Sequence, residues 1–259
     1  MFAAKYTNVE FIQYLYNTFS DTIDVNAQNN NNETAVMLAA LYNNVDVIRY
    51  LYNIPKISTR TETKSGNTVL MFAAQNKDAG VMQYLCKTVV YGLNENKKND
   101  NGDNALMIAA QNTNVDVISH LFDKLRSTRL GFSTFDFTNL KNGNTIFMLA
   151  ALNTNIRVIR YLCKELNWAF DINAQNHDGN TVVMFAVKNT NIEVMKYLCA
   201  NFKDKIDINK HNKNGYTAFM LAVKKANVQE IQYLYGSFGN AIDINKQDKN
   251  GNTAFMLAA

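Results

Sequence analysis

One phrase, Phe-Met-Leu-Ala-Ala or a close variant of it, recurs along the whole 259-residue sequence. Its methionine stands at Met1, Met37, Met71, Met107, Met148, Met184, Met220 and Met256, so most copies are 36 residues apart. A period of about 20–50 residues is typical of chains in which stacked supersecondary units share one continuous core. The chain is therefore expected to fold as a repeat array rather than as a sandwich or a barrel.

Two further phrases keep the same interval and complete the unit. One is Asn-Val-Asp-Val-Ile-Arg-Tyr-Leu with its variants, which follows each full copy of the first phrase, as at Asn44. The other is Gly-x-Thr or Gly-x-Asn, and Asn32 stands where its first glycine would be. Its glycines are Gly66, Gly102, Gly143, Gly179, Gly215 and Gly251. Because the three phrases move together, each repeat is one structural unit.

Each unit is predicted to contain two short helices and a tight turn. The segment from Thr34 to Leu41 is apolar on every side after its threonine cap, which predicts a buried inner helix. After Asn44, apolar residues recur every three or four positions, which predicts an amphipathic outer helix. Asn-Gly pairs such as Asn214-Gly215 are typical of tight turns, so each unit is expected to project a finger.

The last residues carry a recognisable motif. The segment from Asp248 to Ala259, Asp-Lys-Asn-Gly-Asn-Thr-Ala-Phe-Met-Leu-Ala-Ala, resembles the D-x-x-G-x-T-P-L-H-x-A-A opening of the ankyrin repeat. The resemblance covers essentially the whole chain. It implies an all-α repeat solenoid, an ankyrin-type stack of helix-turn-helix units with β-turn or hairpin fingers. We expect a single array over residues 1–259 with seven helix pairs, incomplete first and last repeats, and a longer insertion near residues 126–137.

The sequence departs from the family pattern in three ways. Ala254 and its equivalents replace the family's proline, and the period is 36 residues rather than about 33. Methionine replaces the family's histidine in every copy, and we expect this side chain to serve packing alone. Because the sequence begins and ends inside inner helices, we also expect it to be a fragment of a longer array.

Composition narrows the cellular setting and the class of partner. The net charge of +4 is mildly basic, well below the concentrated Lys and Arg content of a dedicated nucleic-acid binder. No uncharged apolar run reaches the ~18 residues of a membrane span, and the N-terminus does not look like a secretory signal. Three cysteines, an odd number, fit a reducing compartment. We therefore expect a soluble intracellular chain, located in the cytoplasm.

The sequence contains no catalytic constellation. Cys86, Cys163 and Cys199 occupy an outer-helix position that is aromatic in other units, which indicates packing. The histidines are dispersed, and we find no phosphate-binding loop and no metal-ligand spacing. The methionines could be considered as Cu(I) ligands, but equivalent atoms of stacked helices are about 8–10 Å apart. We expect no enzyme activity, no catalytic residue, no cofactor, no metal and no small-molecule substrate.

The resemblance implies a protein–protein interaction scaffold or adaptor, with the partner on the concave face of finger tips and inner-helix ends. This face is amide-rich, and it includes Asn112, Asn153, Asn180 and Asn189. Its last third is cationic, which favours an acidic partner protein over nucleic acid, although a merely solvated face is the alternative. The candidate partner-binding residues are Lys188, Lys213, Tyr216, Lys224, Lys225 and Lys249, with Arg126, Arg129 and Phe132 of the insertion as a second candidate region. The alternative function is a targeting segment of a larger enzyme or channel.

Overall fold

The computed structural model describes residues 9–89, 93–127, 136–139, 141–166, 170–189 and 191–259. The chain divides into two compact units, an N-terminal unit of Met1–Phe137 and a C-terminal unit of Thr138–Ala259. Each unit is built from pairs of α-helices joined by turns, and the described residues contain only isolated β-bridges and no strand. The predicted all-α repeat fold is therefore confirmed, whereas a single array over residues 1–259 stays a prediction.

In the N-terminal unit, short apolar helices alternate with longer amphipathic ones. The helices of its described residues are α1 (Val9–Phe19), α2 (Ala35–Leu41), α3 (Val45–Tyr52), α4 (Val69–Gln75), α5 (Gly80–Thr88), α6 (Ala105–Ala110) and α7 (Val115–Ser127). The inner helices α2, α4 and α6 pack in sequence, and the outer helices α1, α3, α5 and α7 form a second layer. Two layers result because an all-apolar helix must be covered and an amphipathic helix covers it with one face.

The C-terminal unit has the same construction. Its described helices are α8 (Ile146–Ala151), α9 (Ile156–Glu165), α10 (Val182–Lys188), α11 (Ile192–Phe202), α12 (Ala218–Lys224), α13 (Val228–Phe238) and α14 (Ala254–Ala258). The inner helices α8, α10, α12 and α14 pack in sequence, with α9, α11 and α13 outside them. In α10 every residue from Val182 to Val187 is buried, so the inner helices are the core of the unit.

Polar caps determine where the helices begin, as the sequence predicts. The Oγ1 of Thr34 accepts a hydrogen bond from the Met37 N–H at 3.4 Å, and the Oδ1 of Asn104 does the same for Met107 at 3.0 Å. At the outer helix α3, the Oδ1 of Asn44 accepts from the N–H of Val47 at 3.1 Å. These caps satisfy backbone donors that the first helical turn leaves without a partner.

The repeated methionines form hydrogen bonds as well as packing contacts. The sulfur atoms of Met71, Met148 and Met184 lie 3.5, 3.4 and 3.5 Å from the backbone nitrogen of the threonine that caps the same helix. These side chains reach back to the cap as Glu or Gln does in a capping box. The expectation that methionine serves packing alone is therefore wrong at these three positions.

Each finger is a tight turn closed by backbone hydrogen bonds. In the finger of Gly215, the glycine N–H donates to the Asn212 carbonyl at 2.8 Å, and the Asn212 N–H donates to the Tyr216 carbonyl at 3.0 Å. Gly215 has a φ of +83°, a left-handed conformation that glycine adopts without strain. Asn32, which replaces the glycine in its finger, has a φ of +61°, as asparagine tolerates this region better than most residues.

The long 36-residue period is explained by a structured connection after the outer helix. Short 3-10 helices at Lys203–Lys205 and Gly239–Ala241 follow α11 and α13. An asparagine of the preceding unit holds each one. The Nδ2 of Asn173 donates to the Lys205 carbonyl at 2.7 Å, and its Oδ1 accepts from the Asp207 N–H at 2.9 Å. The added residues are therefore part of the contact between successive repeats.

Candidate functional site

The predicted cationic residues lie in the unit that carries the positive charge of the chain. Residues 138–259 contain 14 Lys and Arg against 9 Asp and Glu, a net charge of +5, whereas residues 1–137 have a net charge of −1. Lys188, Lys213, Lys224 and Lys249 are exposed. The structure separates them into two sets, one at the ends of inner helices and one at the tips of fingers.

Lys188 and Lys224 are the helix-end lysines. They are the last residues of α10 and α12, and both line one shallow depression together with Val187, Leu221 and Lys225. The Lys188 Nζ lies 5.4 Å from the centroid of the Phe185 ring, within the range of a cation–π contact. Gln75, Gln111 and Leu152 occupy the equivalent position in other units, so folding does not require a positive charge there.

The finger-tip residues are Lys141, His177, Lys213 and Lys249, each two positions before the glycine of its finger. Their backbones are bonded from finger to finger. The N–H groups of His177, Lys213 and Lys249 donate to the carbonyls of Asn142, Asp178 and Asn214 at 2.8, 2.7 and 3.0 Å. Because each finger tip is hydrogen bonded to the preceding one, the four residues occupy equivalent backbone positions and form a row along the C-terminal unit.

Tyr216 lies between the two sets. Its ring centroid is 4.7 Å from the Lys224 Nζ, which also donates a hydrogen bond to the Tyr216 hydroxyl at 3.4 Å. In the next finger, burial raises the pKa of the Asp248 carboxyl, but hydrogen bonds from Asn252 and Asn250 outweigh it and leave the pKa below its ordinary value. Tyr216 is thus a half-exposed aromatic side chain held by Lys224, the kind that often anchors an interface.

Lys225 is positioned differently from its neighbour Lys224. Its Nζ lies 2.9 Å from the Val187 carbonyl, 2.7 Å from the Asn189 carbonyl and 2.8 Å from the Oε1 of Glu230. Glu230 is only 1% exposed. The Lys225 ammonium is thus bound between two successive repeats of the C-terminal unit. This difference from Lys224 is not visible from their adjacent positions in the sequence.

Four of the asparagines predicted on the concave face are buried between successive repeats. Asn189 donates through its Nδ2 to the carbonyls of Ala151 and Asn153, both at 2.8 Å. The Oδ1 of Asn180 accepts from the Nδ2 of Asn212 at 3.0 Å. The exposed fractions are 7% for Asn112, 4% for Asn153, 5% for Asn180 and 4% for Asn189. At these four positions the predicted contact surface is corrected to hydrogen bonds between successive repeats. The remaining predicted asparagines are exposed or half-buried, the exposed ones being Asn101, Asn142, Asn214 and Asn250.

The cysteines have the environment of core residues. Cys86, Cys163 and Cys199 are free thiols and buried, and burial raises the pKa of each to about 12. A thiol reacts as its thiolate, so these groups are poor nucleophiles near neutral pH. Over the residues that the structure describes, no three His, Cys, Asp or Glu side chains are grouped to hold a metal ion.

The second candidate region is only partly placed. Arg126 is exposed in the last turn of α7. Arg129 and Phe132 lie outside the described residues. At the far side of the insertion, the carbonyl of Asp136 accepts a hydrogen bond from the Asn104 Nδ2 at 2.9 Å, which ties this end to the preceding repeat.

Comparisons with known proteins agree with this architecture. A family model described as "Ankyrin repeats (3 copies)" matches residues 1–62, 54–130, 128–212 and 201–259. The fold is similar to a crystal structure of the ankyrin repeat domain of Bcl-3, described as a unique member of the IkappaB protein family. The TM-score is 0.65 at 19% sequence identity, and the match covers 91% of this chain and 96% of that chain. A search of curated proteins found no match. Among the described residues, no helix has the length and apolar character to span a bilayer.

Proposed function

The chain belongs to the ankyrin repeat family, and we propose that it is an interaction scaffold whose C-terminal unit binds an acidic surface of another protein. Ankyrin repeats are generally protein–protein interaction modules, and theirs is a non-enzymatic fold. The proposal adds a face and a charge to that general role. The alternative, a targeting segment of a larger enzyme or channel, stays a prediction, as does partner binding by the insertion.

One observation carries the proposal: exposed lysines recur at equivalent positions of neighbouring repeats in the C-terminal unit. Lys188 and Lys224 do so at the helix ends, and Lys213 and Lys249 at the finger tips. Of the acidic groups near the tips, Asp178 is exposed and Asp248 is buried and hydrogen bonded. A surface of this kind attracts an acidic partner from solution and raises the rate of association.

The proposal gives Tyr216 and Lys225 different roles. Tyr216 supplies a held aromatic contact beside the lysines, while the Lys225 ammonium is already bound to Glu230 and two carbonyls. We therefore propose that the charge of Lys225 stabilises the contact between two successive repeats and does not bind the partner. Binding is expected to weaken with ionic strength, because exposed charges more than about 10 Å apart are screened at ordinary salt.

The test is affinity capture with two variants of equal charge change. The site variant carries Lys188→Glu, Lys213→Glu, Lys224→Glu and Lys249→Glu. The control carries Arg157→Glu, Lys164→Glu, Lys203→Glu and Lys205→Glu, four exposed residues on or after outer helices of the same unit. We expect a partner retained by the unmodified chain and the control but lost by the site variant. Equal retention by both variants would show that the cationic face is not the binding site.

A further inference from the structure

The exposed lysines of the C-terminal unit are arranged in rows rather than in one cluster. Lys188 and Lys224 are one 36-residue repeat apart, as are Lys213 and Lys249. Because α10 and α12 pack directly on each other, equivalent positions on them are separated by about 8–10 Å, the usual distance between packed helices. The finger tips share this spacing, since each is hydrogen bonded to the one before it.

We propose that this face recognises an extended acidic segment of a partner protein, with a carboxylate at about every third residue, lying along the stacking direction of the C-terminal unit. This inference rests on the proposed function and specifies the ligand of the same site. A segment in the extended polyproline II conformation has three residues per turn and rises about 3.1 Å per residue, so every third side chain returns to the same face at an interval of about 9 Å. That interval matches the lysine rows, whereas adjacent carboxylates are too close together to reach successive lysines.

The chemistry of the face favours an extended segment over a helix. A docking helix inserts an apolar stripe into an apolar groove. Here the finger tips carry Lys213 and Lys249, the helix ends carry Lys188 and Lys224, and between them Tyr216 contacts Lys224. An extended segment needs only charge and hydrogen-bond partners, which these side chains provide.

The same spacing disfavours single-stranded nucleic acid. Its phosphates follow one another at about 3.4 Å of rise per strand in a duplex, much more densely than the lysines. Binding of a single strand also uses several aromatic side chains on which successive bases stack. Beside the two lysine rows, Tyr216 is half-exposed, whereas the Phe185 ring near Lys188 is buried and cannot stack on a base.

The test compares two fluorescent peptides of identical composition with the full chain. One repeats Glu-Gly-Ser four times, and the other begins with all four glutamates, followed by the same glycines and serines. Fluorescence anisotropy at low ionic strength measures each dissociation constant. We expect the spaced peptide to bind several-fold more tightly. The double variant Lys188→Gln/Lys224→Gln should lose this preference, and the control Lys203→Gln/Lys205→Gln should keep it.

The possible failures are distinguishable. Equal affinity for the two peptides, lost in Lys188→Gln/Lys224→Gln, would overturn the spacing while leaving the acidic-partner site in place. Binding of neither peptide would overturn both this inference and the attraction to acidic ligands on which it rests. Tighter binding of an oligothymidylate than of the spaced peptide would reject the acidic segment in favour of nucleic acid.

Discussion

The Nζ of Lys225 lies 2.8 Å from the Oε1 of Glu230, and this ion pair sits at positions that hold an asparagine and a valine one repeat earlier, Asn189 and Val194. Like Asn189, Lys225 donates hydrogen bonds to two backbone carbonyls of the preceding repeat. Glu230 is buried in the place of an apolar side chain and receives the remaining bond of the ammonium. The two polar residues therefore replace the Asn–Val combination as a pair.

Breaking this pair is expected to destabilise the chain strongly. Lys225→Met leaves the Glu230 carboxylate buried without its cation, and removing one partner of a buried pair costs about 3–5 kcal/mol. The double change Lys225→Asn/Glu230→Val recreates the combination of the preceding repeat and should restore most of the lost stability. Urea unfolding followed by circular dichroism measures both free energies. A double variant no more stable than Lys225→Met would contradict the interpretation of a paired replacement.

Two glycines with the same backbone conformation should respond differently to alanine. Gly215 and Gly251 have φ values of +83° and +81°, so alanine is strained at both by about 1–2 kcal/mol. A Cβ at Gly215 would also lie 2.7 Å from the Asp248 Cα, whereas at Gly251 nothing lies within 4 Å. Gly215→Ala is therefore expected to lower the unfolding free energy clearly more than Gly251→Ala. Equal losses in the same denaturation assay would mean that the contact between fingers adds nothing.

The buried asparagines should matter for stability rather than for binding. Asn189→Ala leaves the carbonyls of Ala151 and Asn153 without this donor, and each unsatisfied buried group costs about 1–3 kcal/mol. Asn250→Ala removes an exposed amide from the last finger and is the matched control, with an expected change within about 0.5 kcal/mol. Thermal melting curves of the two variants measure this difference. Similar melting temperatures would argue against a structural role for Asn189.

The buried thiols predict a loss of stability at alkaline pH. The pKa of Cys86, Cys163 and Cys199 rises from 9.0 in the unfolded chain to about 12 in the folded one. Their contribution is complete below pH 9. Between pH 9 and about 12 the unfolded chain releases protons that the folded chain retains, so stability falls as pH rises, by at most about 1.4 kcal/mol per pH unit for each thiol.

Replacing the three cysteines with alanine provides the control for this effect. The variant is expected to be less stable at neutral pH, because it loses buried side-chain contacts, but its stability should fall less steeply above pH 9. Denaturant unfolding at a series of pH values gives both slopes. Thiol-specific reagents should also react slowly with the unmodified native chain and at an ordinary rate after unfolding. Parallel pH profiles for the two proteins would show that thiol ionisation is not the cause.

The insertion and the neighbouring residues Lys224 and Lys225 show where prediction from the sequence stops short. Arg126 was predicted together with Arg129 and Phe132, and it alone lies in a described part of the chain, at the end of α7. The cationic residues were predicted as one set, yet the structure separates Lys225 from Lys224. Lys225 differs from Lys224 because it pairs with the buried Glu230, five residues further along the chain. The apolar pattern at that position gives no reason to expect a charge.

The sequence by itself determined the repeat unit: the caps at Thr34 and Asn44, the alternation of buried and amphipathic helices, and the turn at Gly215. These features depend on residues within a few positions of one another, so their pattern is visible in the linear chain. Only the tertiary structure decided what Asn189 and Lys225 bind, because their partners lie in the adjoining repeat, 36 to 38 residues away. Stacking brings those backbone carbonyls within reach, and a buried carbonyl then selects a donor that the sequence pattern shows only as another polar surface residue.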